Sequence, residues 1–451
     1  MSEPAAPAAP RPAPSTSSSP WRWIPSLYFA QGLPFVAVTA LSVVMYKNLG
    51  VGNAEIALVT SWLYLPWVIK PLWGPLVELL GAKRRWIVAL QFGLGAALAS
   101  LALAVPAPAF LQWTLALFWL IAFASATHDI AADGFYLLAL PQAQQAAFVG
   151  VRSTCFRLAN IAGQGGLVVL AGRLQEATGT PAAAWATVFG LLGGLFLLLA
   201  LHHAWALPRP ALDRAAPRPG DALALVRGFG VVWGAFFSRP DILRVLAFLL
   251  LYRFAEAQML RLIVPFLLDP QEAGGLAMST TQVGIVYGTV GAVALTAGGL
   301  LGGWWISRRG LGRLWWTLVA VMHLPNLVYV GLAVAQPPGL WLPAAAVAVE
   351  QFGYGLGFTA YMVYLMMVAG QGEHKTAHYA LGTGFMALGM MLPGMAAGWL
   401  QQQMGYSAFF IWACVATLPS IAAAAFVRPP LDFGRADAGS DAEAGAETGR
   451  H

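Results

Sequence analysis

Twelve runs of about 20 mostly apolar residues follow one another along this chain, each long enough for a helix to cross the hydrocarbon of a bilayer. In lipid no water is present to satisfy backbone N–H and C=O groups, so each run is expected to be helical. In the first half they are Trp23–Tyr46, Ala54–Leu80, Trp86–Val105, Phe110–Leu140, Ala146–Gly172 and Pro181–Ala204. In the second they are Asp241–Leu268, Thr280–Ile306, Leu311–Val334, Leu340–Gly370, Ala377–Gln402 and Tyr406–Val427. Of the 451 residues 10% are charged, far below the roughly 25% a water-exposed surface requires. The expected fold class is therefore an all-α membrane protein of twelve transmembrane helices in a lipid bilayer.

Lys and Arg set the orientation. One set of loops holds Lys83, Arg84, Arg85, Arg209, Arg214, Arg218, Arg227, Arg239, Arg308, Arg309, Arg313 and Lys375, while the opposite set holds little beyond Lys47 and Arg173. By the positive-inside rule both termini are expected in the cytoplasm, which an even number of crossings also requires. Residues 1–20 and 428–451 are expected to be disordered tails. Residues 207–240 form a Pro- and Arg-containing cytoplasmic central loop, within which 222–237 suits an interfacial amphipathic helix. This loop separates a six-helix half, 21–206, from a second, 241–427.

The halves resemble each other. Pro71-Leu-Trp-Gly-Pro-Leu-Val-Glu-Leu-Leu-Gly-Ala-Lys-Arg-Arg85 follows the second helix, and Gly298-Gly-Leu-Leu-Gly-Gly-Trp-Trp-Ile-Ser-Arg-Arg-Gly-Leu-Gly-Arg313 the eighth. Each is a small-residue helix end running into a tight basic turn. Two pseudo-symmetric six-helix halves of like orientation enclose a substrate site between them.

Several chemistries are excluded. Cys155 and Cys414 both lie in apolar runs, so no disulfide framework or zinc cluster is expected. The basic residues sit in short loops rather than in a patch, which argues against a nucleic-acid partner. There is no Gly-rich phosphate loop, no His-Glu-x-x-His and no strand–turn–helix nucleophile, so neither an enzyme nor a metal or cofactor site is expected. The Glu373-His374-Lys375 turn holds too few ligands for a metal and reads as a solvated loop.

Three segments are more telling: Tyr28-Phe-Ala-Gln-Gly-Leu-Pro-Phe35, Leu65-Pro-Trp-Val-Ile-Lys-Pro-Leu-Trp-Gly-Pro75 and Ala126-Thr-His-Asp-Ile-Ala-Ala-Asp-Gly134. Together with the loop motif carrying Glu78, Arg84 and Arg85, they resemble the AmpG-type muropeptide permeases, in the peptide and acetyl-coenzyme A transporter branch of the major facilitator superfamily. The close resemblance covers about Trp23 to Gly172. Glu78 stands where Asp is usual, His128 where Gln is expected, and no extra C-terminal helices follow. The resemblance implies a monomeric, proton-coupled symporter of the bacterial inner membrane, importing a small anionic solute, the anhydromuropeptides of peptidoglycan recycling. Siderophore or acyl-coenzyme A transport on the same fold, or a non-transporting receptor, are the alternatives.

Ionisable residues inside a bilayer are costly and mark function or pairing. Asp129 and Asp133 share a face of the fourth helix, and Arg152 and Arg157 on the fifth fall at matching depths. Two pairs are expected, Asp133 with Arg152 and Asp129 with Arg157, serving proton coupling, gating or structure; a lock of the fourth helix onto Arg84 and Arg85 is the other possibility. His128 is expected either to titrate or to bond its neighbour Asp129. Glu350, near the middle of the tenth helix and before Gln351, suits a proton-binding group, a neutral hydrogen-bonded Glu, or a partner of Arg253 or Arg157. Arg253 and Glu256 are three apart and suited to neutralise each other, leaving Arg261 to bind an anion or to snorkel outward. Lys70 suits an anion or Asp129. Tyr28, Gln31 and Gln351 suit hydrogen bonding to substrate, and Pro34 should kink the first helix.

Overall fold

The computed structural model describes residues 19–79, 82–210, 213, 221–371 and 375–435. Most of both expected tails and the Glu373-His374 part of the polar turn lie outside the described residues, as do the side chain of Glu78 and those of 221–227. Ten helices among the described residues are long and apolar enough to cross a membrane. We label the crossing segments in chain order. α1 is Pro20–Asn48, α2 is Asn53–Trp62 with Leu65–Leu79, α3 is Lys83–Ala104 and α4 is Phe110–Ala139. α5 runs from Gln142–Ile161 through Val168–Thr178, and α6 is Pro181–Ala206. α7 is a broken helix, Ile242–Leu251 and Phe254–Leu268, neither piece of crossing length by itself. α8 is Thr280–Arg309, α9 Leu311–Ala335 and α10 Trp341–Gly370. One stretch of 50 residues, Ala377–Phe426, holds the last two segments, α11 (375–404) and α12 (406–426). They are divided at Gly405, whose φ of 74° is open to glycine and strained for other residues.

Local chemistry accounts for the breaks. Pro34 lies inside α1, and a wide π turn, Ala37–Leu41, follows it. Two more π turns, Ala162–Leu167 in α5 and Gly284–Gly291 in α8, face each other across the two halves. The α7 break at Arg253 has no Pro or Gly to announce it. Its freed carbonyls are capped from outside the helix: Tyr361 donates to Leu249 O (2.7 Å) and Ser420 to Leu251 O (2.9 Å). Such satisfaction lets a helix open within a membrane.

Both described ends lie on one face of the bundle. Arg22 O meets His202 at the end of α6, and Arg84 donates to the Ala204 and Leu207 carbonyls there. Asp213 accepts from the backbone N–H groups of Lys83 and Arg84. At the other end of the chain, residues 428–435 strap onto the α8–α9 turn: Leu311 N–H donates to Phe433 O and Gly312 N–H to Pro430 O. Asp432 pairs with Arg313 and Arg435. Helix Asp221–Phe237 falls where the amphipathic segment is expected, and its Phe236 stacks on Phe385 of α11. We call this face the terminal side and the opposite face the far side.

The halves meet through small residues, as helices in lipid do when backbones approach closely. Gly288 of α8 lies against the Gln164–Gly165 backbone of α5, and Gly172 against Thr281. Gly398 of α11 lies against the Asn53–Ala54 backbone of α2. A Cβ at Gly288 or Gly398 would collide with backbone rather than with a movable side chain.

Candidate functional site: a cavity between the two halves

Between α1, α5, α8 and α10 lies a cavity of about 610 Å³. Its N-terminal wall includes Tyr28, Gln31, Arg152, Phe156, Arg157, Asn160 and Gln164; the facing wall includes Tyr287, Gln351, Tyr354, Phe358 and Thr359. Residues 157, 160, 161 and 164 recur at helical spacing, so one stripe of α5 presents a guanidinium and two amides to the cavity. Beyond Gln164 the α5–α8 glycine contacts close the space toward the far side. Toward the terminal side the lining includes Arg152, which is paired with Asp133; their side-chain exposures are 28% and 45%.

The far side is sealed by polar contacts between the halves. Lys47 Nζ of α1 lies 2.5 Å from Asp269 Oδ1 at the end of α7. Asn53 donates to Asp269, Gln401 and Tyr406, and Tyr406 OH donates to Asp269 Oδ2 at 2.6 Å. Thr280 donates to Asn48 and Gln175, and Thr281 to Glu176 (2.9 Å). In sequence Lys47 marks topology, and its being the lone Lys of the far-side loops is the signal for this pairing.

The expected Asp133–Arg152 pair is present at 2.8 Å, with Tyr28 OH donating to the same carboxylate at 3.2 Å. The Arg152 guanidinium also lies over the Tyr28 and Tyr136 rings, 4.6 and 5.0 Å from their centroids. The Asp129–Arg157 pair is not among the ion pairs of the described residues. Trp67 Nε1 donates to Asp129 (3.2 Å), Gln31 reaches the same carboxylate and Lys70 lies near it. Arg157 instead turns to the other half, toward Thr296 O at 3.5 Å. The depths match and the rotations do not: five residues on a helix turn by roughly 140° beyond a full circle, so Arg152 and Arg157 cannot both face α4.

Three other expectations are corrected. His128 does not bond Asp129. It accepts from Gln91 Nε2 (3.0 Å), whose Oε1 accepts from His203 Nδ1 (2.8 Å), and Ser26 Oγ lies 2.9 Å from His203 Nε2. Adjacent residues on a helix point about 100° apart, which sends His128 into α3 and α6. Arg253 and Glu256 form no ion pair among the described residues: Arg253 caps the second piece of α7 in a non-helical conformation, and its guanidinium bonds Tyr354 OH and lies over Tyr354 and Phe358. Arg261 does not snorkel. It is 4% exposed, donates to Thr60 Oγ1 (3.3 Å) and covers the Tyr64 ring, so it ties α7 to α2. Lys70, Arg253 and Arg261 are not among the cavity-lining residues. Glu350 is fully buried and accepts from Tyr329 OH (3.0 Å) and Gln351 Nε2 (2.9 Å). The loop residues Arg84 and Arg85 do not pair with α4; Arg84 serves the α6 end, and Lys83 packs beside Gly134.

A helical bundle of two halves around a central cavity lined by polar and aromatic side chains is the architecture of a membrane transporter rather than an enzyme. The chain belongs to the Major Facilitator Superfamily, whose sequence profile matches residues 26–384. It is similar to the anhydromuropeptide permease of Escherichia coli (strain K12), 27% identical over 420 residues covering 91% of this chain and 80% of that one. It is also similar to putative transporter AmpG 4 of Rickettsia conorii, at 21% identity over 88% and 93% of the two chains. Among solved structures the nucleoside transporter NupG superposes with a TM-score of 0.64 at 17% identity, covering 90% of this chain and 98% of that one. A bacterial homologue of the human lysosomal transporter Spinster, inward-facing and occupied, also gives 0.64 at 17%, over 91% and 97%.

Proposed function

We propose that this chain imports anhydromuropeptides into the bacterial cytoplasm with protons, and that the described structure is its cytoplasm-facing state. The reading places the terminal side, rich in Arg and Lys, in the cytoplasm. The observation that carries it is Arg157: a guanidinium on the cavity wall whose hydrogen-bond partner is one carbonyl at 3.5 Å, leaving its fork for a carboxylate. Asn160, Gln164, Gln31 and Gln351 supply hydrogen bonds around it, and Tyr28, Phe156, Tyr354 and Phe358 supply rings for the faces of sugars. Similarity to a permease of that named substrate supports the same reading. Substrate anion would be drawn to Arg157 and Arg152, with Asp133 exchanging its hold on Arg152 as the terminal side opens and closes. A carboxylate, from Asp129, Asp133 or Glu350, would carry the proton. The test is uptake of labelled GlcNAc-anhydroMurNAc-peptide by proteoliposomes under an inward proton gradient. Accumulation that collapses with the gradient supports the proposal. Absence of uptake by folded protein overturns it and turns attention to siderophores and acyl-coenzyme A.

A further inference from the structure

Behind the cavity wall, α7 and α10 bring two carboxyl groups together. Glu256 lies just after the α7 break, Glu350 lies in α10, and both are fully buried. The two carboxyls are within hydrogen-bonding contact of each other. Glu350 Oε2 receives Tyr329 OH and Gln351 Nε2. The remaining three oxygens, Glu256 Oε1 and Oε2 and Glu350 Oε1, have no donor.

Two ionised carboxylates so placed would set acceptor against acceptor and like charge against like charge, out of reach of water. The titratable groups around them come from five helices. Arg253 of α7 is the cation acting on Glu256, its guanidinium held by Tyr354 and Phe358, and Arg261 of the same helix lies over Tyr64 and near Tyr287. Tyr64 of α2, Tyr287 of α8, Tyr329 of α9 and Tyr354 of α10 contribute phenols, which are uncharged at neutral pH. Two carboxylates and one guanidinium sum to a single negative charge, which one bound proton cancels. That proton also engages two of the three orphaned oxygens, the one that carries it and the one that accepts it.

We propose that Glu256 and Glu350 share one proton, the protonated carboxyl of one donating to the carboxylate of the other, and that this pair is the proton site of the transport cycle. The second clause rests on the proton-driven reading above. Gln351 and Tyr287 connect the pair to the cavity, since both line it and Gln351 bonds Glu350. Release breaks one carboxyl O–H bond and passes the proton to cavity water, leaving the cluster with its negative charge. Arg253 then has reason to leave Tyr354 for Glu256, one turn on in α7, a motion that would move the cavity wall.

The test is infrared difference spectroscopy of the purified chain in detergent, following the protonated-carboxyl C=O band during a pH titration. A band present at neutral pH, and removed or displaced by Glu256→Gln and by Glu350→Gln alike, is expected. Tyr329→Phe, which keeps both carboxyls, should displace the band without removing it. In proteoliposomes each Gln variant should lose gradient-driven accumulation by about tenfold or more, and the double variant should lose no more than either single one. A band that ignores Glu256→Gln, no band in the wild type, or Glu256→Gln accumulating at wild-type level overturns the shared proton. A wild-type band without gradient-driven uptake supports the shared proton and overturns the proton-driven reading.

Discussion

Lys47 of the first half and Asp269 of the second meet at 2.5 Å across the far side of the bundle, with side chains 15% and 13% exposed. Asn53 donates to the same carboxylate, so one acidic residue collects donors from α1 and α2 and, through Tyr406, from α12. Asp269→Asn keeps shape and removes the charge. We expect the far side to open more often, by about 1–3 kcal/mol of equilibrium. A disulfide engineered between positions 175 and 280 should form more slowly in the variant, and equal rates would show that the pair does not hold the closed state.

Gly288 has no room for a methyl group, because the Gln164 backbone occupies the space. Gly288→Ala is expected to push α5 and α8 apart and to lower far-side closure, at about 1–3 kcal/mol for the overpacking. Gly303, which faces open space, is the control. Melting temperatures of the two Ala variants should differ, with Gly303→Ala unchanged or higher.

Arg157→Lys keeps the charge and loses the planar fork. If this residue takes a substrate carboxylate, affinity should fall by about tenfold, ~1.4 kcal/mol. Titration of the purified protein with the muropeptide reads this directly. Unchanged affinity would remove Arg157 from the binding site.

The Asp133–Arg152 pair is half-exposed, so its loss should cost under about 1 kcal/mol of stability. Asp133→Asn should therefore melt near the wild-type temperature while transport slows. A large drop in melting temperature with normal transport would assign the pair to structure alone.

Gln91 joins two buried imidazoles, His128 and His203, through one amide. Gln91→Leu is expected to leave His128 Nε2 and His203 Nδ1 without their partner, while His203 keeps Ser26, and to cost about 1–3 kcal/mol for each unsatisfied group. Thermal unfolding in detergent measures it, and a neutral result would mean that water replaces the amide.

The bilayer makes much of this molecule legible in sequence. Length and apolarity located the crossing helices, because lipid forces every backbone polar group to be satisfied within its own segment. The motif around Asp129 and Asp133, the spacing of Arg152 and the isolation of Glu350 could all be read along single helices. What sequence did not carry was rotation about the helix axes and contact between elements distant in the chain. Rotation sends Arg157 to the other half and His128 to Gln91. Tyr361 and Ser420, from α10 and α12, cap the α7 break beside Arg253, whose guanidinium goes to Tyr354. Lys47 faces Asp269 because the two halves pack through glycines whose partners lie far along the chain, and Glu256 faces Glu350 because α7 and α10 come together within the second half. The bilayer acts on each segment separately, and sequence records it; pairing between segments is set by three-dimensional packing, and the tertiary structure decides it.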